Sequence, residues 1–222
     1  NFVACHNAAY VKKYHMVEEL VDGGTFLLNC PWSGDELDKH LPGQVKKYIA
    51  DHNINFYTID GVKLGIESGM GPTRINTILQ SAFFTLTGII PEAEAIEHMK
   101  AAAKKSYGMK GDDIVQMNWK AIDLGANAVV KVDVPDSWKS GADEGLDYPK
   151  ATKGTQAQID FVNDVQIKVS AQEGNTIPVS VVARYTDGST PSGTAAYEKR
   201  GVSVSVPVWT EDKCVECGLC SF

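Results

Sequence analysis

Apolar and polar positions along the first half of the chain fall into two alternating patterns. Short β-rich runs at Phe2–Cys5, Thr25–Asn29 and Asn55–Ile59 are bounded by turn formers or polar residues and predict strands. Between the first two, Val11, Tyr14, Val17 and Leu20 recur at helical spacing and Gly23-Gly24 supplies a stop, which predicts one helical crossover. Between the second and third, Ser33-Gly-Asp-Glu36 has the spacing of a capping box, and Val45, Tyr48 and Ile49 predict a second helix ending near Asn53. Strands separated by single helices favour a parallel sheet with right-handed crossovers. The expected fold class is therefore α/β, a Rossmann-like, partly parallel sheet with helices.

From Arg74 to about Ala128 the pattern becomes mainly helical. Ile75, Ile78, Leu79, Ala82, Phe83 and Leu86 form one apolar stripe, Ala95, Ile96, Met99 and Ala102 a second, and Ile114, Met117, Ala121, Ile122 and Leu124 a third. Val129–Val134 reads as a returning strand. Pro135 to Gly154 holds two prolines, three glycines and mixed charge without clear period, and marks a domain boundary. Beyond it, Gln156–Val169 reads as a helix, Pro178–Ala183 as a strand, and Val202–Val206 as a second strand with apolar/serine alternation. Thr186 to Gly193 is an irregular loop between them. This stretch is expected to be a small α+β connector.

Composition narrows the class. The chain of 222 residues is 43% hydrophobic and 22% charged, which fits a globular protein. Its net charge is −7 and its 21 Lys and Arg are dispersed, so a nucleic-acid partner is not expected. The longest apolar runs fall far short of the roughly 20 residues that span a bilayer, and no signal-peptide pattern opens the chain. No membrane association and a cytoplasmic location are expected. The chain opens inside a strand without methionine and closes just after a dense cysteine run, so a piece of a larger polypeptide is expected.

That cysteine run is the strongest chemical signal. Cys214-Val-Glu-Cys217-Gly-Leu-Cys220 places three thiols in seven residues and matches the opening of the bacterial ferredoxin pattern C-x2-C-x2-C-x3-C-P. Two-residue spacers let the backbone fold round one corner of a cubane so that successive thiolates meet different irons, and Gly218 permits close backbone approach. Zinc, which usually takes separated C-x2-C pairs, is the competing reading. Disulfides fit poorly with five cysteines and no secretory signal. With three ligands present, the chain alone is not expected to hold a stable [4Fe–4S] cluster.

Other features are weaker. Gly69-Met-Gly-Pro-Thr-Arg74-Ile-Asn76 is a Gly-rich turn running into a helix; helix N-termini bind anions, and a plain helix-start turn is the alternative. Cys5-His6, at the end of the first strand, sits where α/β sheets place ligands, but no base or orienting partner is visible. Cys5 and Cys30 therefore read as packed cysteines. His15, His40, His52 and His98 read as solvated positions on helices. No catalytic residue is assigned.

Taken together, several stretches resemble one family, pyruvate:ferredoxin (flavodoxin) oxidoreductase of the single-chain type. They are Phe2-Val-Ala-Cys-His-Asn7, Gly24-Thr-Phe-Leu-Leu-Asn-Cys-Pro-Trp32, Arg74-Ile-Asn-Thr-Ile-Leu-Gln-Ser-Ala-Phe-Phe84 and Tyr197-Glu-Lys-Arg-Gly201, the last leading through Val206-Pro-Val-Trp209 into the cysteine run. The resemblance implies that residues 1–134 are the C-terminal part of a gamma-type, coenzyme A-associated domain, 135–207 a connecting domain, and 208–222 the start of a two-cluster ferredoxin domain. It implies oxidative decarboxylation of pyruvate to acetyl-CoA and CO2, with electrons passed through 4Fe–4S clusters to ferredoxin or flavodoxin. Arg74 and Asn76 match the segment that reaches toward coenzyme A, although Gly71-Pro-Thr-Arg74 looks a residue longer than the family pattern. Cys214, Cys217 and Cys220 match cluster ligands. Thiamine diphosphate and Mg would belong to other parts of such a polypeptide, which the family implies is a homodimer. A ferredoxin-like electron carrier fused to an α/β binding domain, or a zinc-stabilised binding protein, is the alternative.

Overall fold

The computed structural model describes residues 1–198 and 207–221. Four strands form one sheet in the order β1 (Phe2–Cys5), β2 (Thr25–Asn29), β3 (Asn55–Ile59) and β4 (Val130–Lys131). The first three are parallel and lie where the alternation of the sequence puts them. The β4 strand joins antiparallel to β3, pairing Lys131 with Tyr57 and Val130 with Thr58, and is shorter than the run 129–134 suggests.

Side chains of β2 point alternately to two faces, and each face has its own core. Phe26 and Leu28 pack with Cys5, Phe56, Val11, Val17 and Leu20 under α1 (Asp35–His40) and α2 (Gly43–Asp51). Leu27 packs on the opposite face with Ile59, Leu64, Ile78, Leu79, Ala82 and Ala121. Apart from Ile59 on β3, these come from α3 (Gly61–Ser68), α4 (Asn76–Thr87) and α6 (Asp112–Asn127), while α5 (Glu92–Tyr107) covers α6 through Met99, Ala103 and Ile122. The product is a three-layer α/β/α unit, in agreement with the expected class. Helices α4 and α6 touch backbone to backbone: a Cβ on Gly125 would lie 2.3 Å from the Ile78 carbonyl oxygen, and one turn away Ser81 Oγ donates to the Ile122 carbonyl at 2.7 Å.

Three local readings are corrected. The crossover from β1 to β2 is a short 3-10 turn, Ala8–Lys12, followed by irregular chain, although Val11, Val17 and Leu20 are all buried. The Lys12 carbonyl accepts from Asp147 N–H at 2.7 Å, a long-range bond in place of a helical one. The capping box does not form: α1 starts behind Gly34, and Ser33 meets Glu36 only through its backbone carbonyl. The single helix expected before Asn53 is two, because Leu41 precedes Pro42 and takes extended angles, φ −79° and ψ 132°.

The segment after residue 134 remains attached to this unit. Trp138 is 3% exposed, lies 6.2 Å from the Phe56 ring, and donates its indole N–H to Asp38. The connector then docks on the irregular stretch near residue 13. Lys13, 7% exposed, reaches the Asp147 carbonyl and, at 3.2 Å, its carboxylate, and lies 5.0 Å from the Tyr148 ring centroid. His15 bridges Glu18 at 2.7 Å and Glu173 at 2.9 Å. Helix α7 (Gln156–Phe161) begins with a Thr155–Gln158 capping box and continues through a π turn, Val162–Gln166, into α8 (Ile167–Ser170). That matches the helix read at 156–169. The strand read at 178–183 is instead α9 (Val179–Val182), started by Pro178; its valines are 83% and 53% exposed at 179 and 182. Among the described residues the connector is helical and contains no strand. The strand read at 202–206 lies outside the described residues.

Candidate functional site

Parallel strands bring their C-terminal ends to one edge, and this edge is organised by Asn29. Its Nδ2 donates to the His6 carbonyl at 2.9 Å, and its Oδ1 accepts from Gly61 N–H at 2.8 Å, tying β1 and the start of α3 to the end of β2. Asp60 caps α3 by accepting from Lys63 N–H at 2.9 Å. A Cβ on Gly61 would meet Ile75 Cβ at 3.5 Å, so the turn before α4 sits against this same edge. Arg74 and Asn76 flank Ile75, and both are exposed. The Gly-rich turn thus does run into a helix. The turn lies near the carboxyl edge of the sheet, where α/β folds place ligands. Sequence reasoning did not single out Asn29; an Asn at the last position of a buried strand, 8% exposed, was the signal.

Cys5 and Cys30 are packed, as expected. Burial pushes the Cys5 thiol up to about 12 and Cys30 up to about 11, and each thiol donates to a backbone carbonyl two residues on, Asn7 and Trp32. Such thiols are poor nucleophiles. The histidines are less free than the sequence suggested. His40 stacks on Trp32 at 4.4 Å, His52 meets Asp22 at 2.6 Å and stacks on Tyr48, and His15 holds two glutamates from a stretch that is not helical. His98 lies on α5, 3.5 Å from Glu94.

Cys214, Cys217 and Cys220 are all exposed. With Trp209, Glu216 and Gly218 they line one concavity of about 370 Å³. A 3-10 turn, Glu211–Lys213, leads into the run. Glu216 and Gly218 then take left-handed angles, φ 55° and 72°, and wind the chain back on itself. Glu216 N–H donates to Cys214 Sγ at 3.4 Å. Hydrogen bonding from Trp209 and then from this amide lowers the Cys214 pKa. Among the described residues no three His, Cys, Asp or Glu side chains converge on a single ion; the thiols instead ring an open space. Exposed thiols, a backbone N–H aimed at sulfur and a recessed surface fit a polynuclear iron–sulfur group.

A family model described as pyruvate ferredoxin/flavodoxin oxidoreductase matches residues 1–128. The chain belongs to that family. A second model, EKR, described as a domain of unknown function, matches residues 149–203, which contain Tyr197-Glu-Lys-Arg-Gly201. Among relatives, the pyruvate-flavodoxin oxidoreductase of Enterobacter agglomerans is 45% identical over 222 residues, 100% of this chain and 18% of that protein. The pyruvate-flavodoxin oxidoreductase of Klebsiella pneumoniae is 41% identical over 222 residues, with the same two coverages. The pyruvate:ferredoxin oxidoreductase of Moorella thermoacetica is 40% identical over 221 residues, again 100% of this chain and 18% of that protein. The chain therefore spans under a fifth of the length of these oxidoreductases. Among its described residues, no helix is long and apolar enough to cross a membrane.

Proposed function

We propose that this chain is the segment of a cytoplasmic 2-oxoacid oxidoreductase, acting on pyruvate, that joins a coenzyme A-associated α/β domain to the first cluster of a ferredoxin domain. The observation that carries the reading is the three-cysteine concavity placed in the same chain as the family's α/β unit. Residues 1–134 would form the coenzyme A-associated unit, 135–207 the connecting domain and 208–222 the start of the ferredoxin domain, in a polypeptide that also binds thiamine diphosphate and Mg elsewhere and forms a homodimer.

Within this segment the chemistry is binding and positioning. Cys214, Cys217 and Cys220 supply thiolates to a 4Fe–4S cluster, which when bound takes up and releases single electrons for ferredoxin or flavodoxin. The Glu216 amide donates to the first sulfur. Arg74 offers a fixed positive charge and Asn76 a side-chain amide at the start of α4, a placement that suits the phosphates of coenzyme A. Packed Cys5 and Cys30 take no part.

The test is anaerobic purification of the full-length polypeptide containing this chain, followed by pyruvate- and coenzyme A-dependent reduction of flavodoxin or ferredoxin. Turnover that is abolished or at least halved by Cys217→Ser, with the α/β unit still folded, is expected. Zinc in place of iron and sulfide, or an unchanged reduction rate in Cys217→Ser, would overturn the reading. Arg74→Ala is expected to raise KM for coenzyme A with little change in the pyruvate KM.

A further inference from the structure

Trp209 is 65% exposed, an unusual position for an indole on a short segment with no core of its own. It does have a direction. After residues 207–210, which form no regular element, and with Thr210 extended, the Glu211–Lys213 turn is closed by Lys213 N–H to the Thr210 carbonyl at 3.2 Å and Cys214 N–H to the Glu211 carbonyl at 3.0 Å. The turn folds Trp209 back so that it lines the same concavity as Cys214, Cys217, Gly218 and Cys220. Its neighbour there is Cys214, which accepts from the Glu216 amide at 3.4 Å and whose pKa the Trp209 side chain lowers.

We propose that Trp209 is a positioning residue for the cluster: its indole N–H donates to Cys214 Sγ, and its ring walls the side of the thiol concavity next to that sulfur. This rests on the reading of Cys214, Cys217 and Cys220 as iron ligands. An indole has one donor and no acceptor, so the contact has a single polarity. A donor on a ligand sulfur withdraws negative charge, which favours the reduced, more negative state of the group it holds; hydrogen bonds to sulfur and solvent exposure are among the levers that set cluster potentials. The contact spans only five residues and is built by one local turn, so it does not depend on how the rest of the polypeptide packs. In sequence terms the determinant is a Trp placed five residues before the first cysteine of the run.

The experiment compares full-length holoenzyme carrying Trp209→Phe, which keeps a ring and loses the N–H, with Trp209→His, which restores a donor. Iron and sulfide content is measured, and each cluster transition is followed by redox titration with electron paramagnetic resonance detection. With iron retained, Trp209→Phe should move one transition to more negative potential by a three- to tenfold change in the reduced-to-oxidised ratio, about 30 to 60 mV for one electron. Trp209→His should recover part of the shift. Iron loss in Trp209→Phe that Trp209→His repairs also supports the proposal. Full iron with every transition unmoved in Trp209→Phe overturns it, as does equal iron loss in both variants. Parent enzyme without iron or sulfide would instead overturn the ligand reading itself.

Discussion

Helices α4 and α6 meet at Gly125, and a single methyl group there tests the packing. The Cβ of Gly125→Ala would fall 2.3 Å from the Ile78 carbonyl oxygen and 2.9 Å from the Ile78 carbonyl carbon and Cα, all backbone atoms that cannot rotate away. Ordinary contact requires the helices to separate by about 1 Å, in a core where Ile78, Ala82, Ala121 and Ile122 are 0% exposed. Overpacking of this kind costs about 1–3 kcal/mol. The same movement stretches the buried Ser81 bond to the Ile122 carbonyl beyond useful length, adding about 1–2 kcal/mol for a donor left dry. Alanine regains about 1 kcal/mol of helix propensity. The net expectation is a loss of about 1–4 kcal/mol, or about 3–12 °C in Tm at about 3 °C per kcal/mol for a chain of this size. Gly108→Ala is the matched control: that residue has φ −55° and nothing within 4 Å of an added Cβ, so the same change should be neutral or stabilise by about 0.4–1 kcal/mol. Urea and thermal denaturation of both variants read the two effects. A Gly125→Ala midpoint at or above that of the parent, or equal shifts in both variants, would refute the reasoning.

Further expectations concern titratable groups. At neutral pH, iodoacetamide should label Cys214, Cys217 and Cys220 of the iron-free chain and spare Cys5 and Cys30 until denaturant is added, as read by mass spectrometry. Because burial raises the last two thiols, their contribution to stability is complete below about pH 9 and lost as pH rises through 11 and 12; the alkaline slope of the urea midpoint should flatten in a Cys5→Ala, Cys30→Ala chain. For His15, burial lowers the pKa, but hydrogen bonds to Glu173 and Glu18 outweigh it and the result is raised. The Glu173 tie is thus complete below about pH 6.5 and lost as pH rises through the raised value, so amide protection factors in α8 should fall over that window in the parent and not in His15→Gln. Asp147→Ala leaves the Lys13 ammonium with only a carbonyl and a ring face in its pocket and should cost about 1–2 kcal/mol, whereas Lys13→Met should cost less, as judged by urea midpoints.

The strands were legible because each is a short apolar run with polar ends, and the parallel pairing needs no information beyond the crossovers between them. Helices α4 to α6 were legible for the same kind of reason: the stripes of α4 and α6 face the sheet, and that of α5 faces α6. The stretch around Val11 and Leu20 was not. Its apolar residues are buried as a helix would bury them, but the Lys12 carbonyl is claimed by Asp147, a partner 135 residues away that no local pattern reveals. Val179-Ser-Val-Val182 has strand composition but, among the described residues, no strand to pair with, and Pro178 sets the first turn of a helix instead. The cysteine run announced itself by spacing, whereas Trp209 did not, since its relation to Cys214 exists only once the Glu211–Lys213 turn has formed. Helix α3 escaped notice because two of its eight residues are glycines, Gly61 and Gly65, which weaken any propensity signal.

The joint at Lys13 also carries an order of events. A ribosome releases Lys13 long before Asp147 and Tyr148, so while the sheet assembles this ammonium is still hydrated and its pocket has only one wall. Arrival of the connector strips that water and fastens two distant parts of the chain together, making the latch a record that the second part has been completed. A polypeptide that stops between them leaves Lys13 hydrated and the two distant parts unfastened.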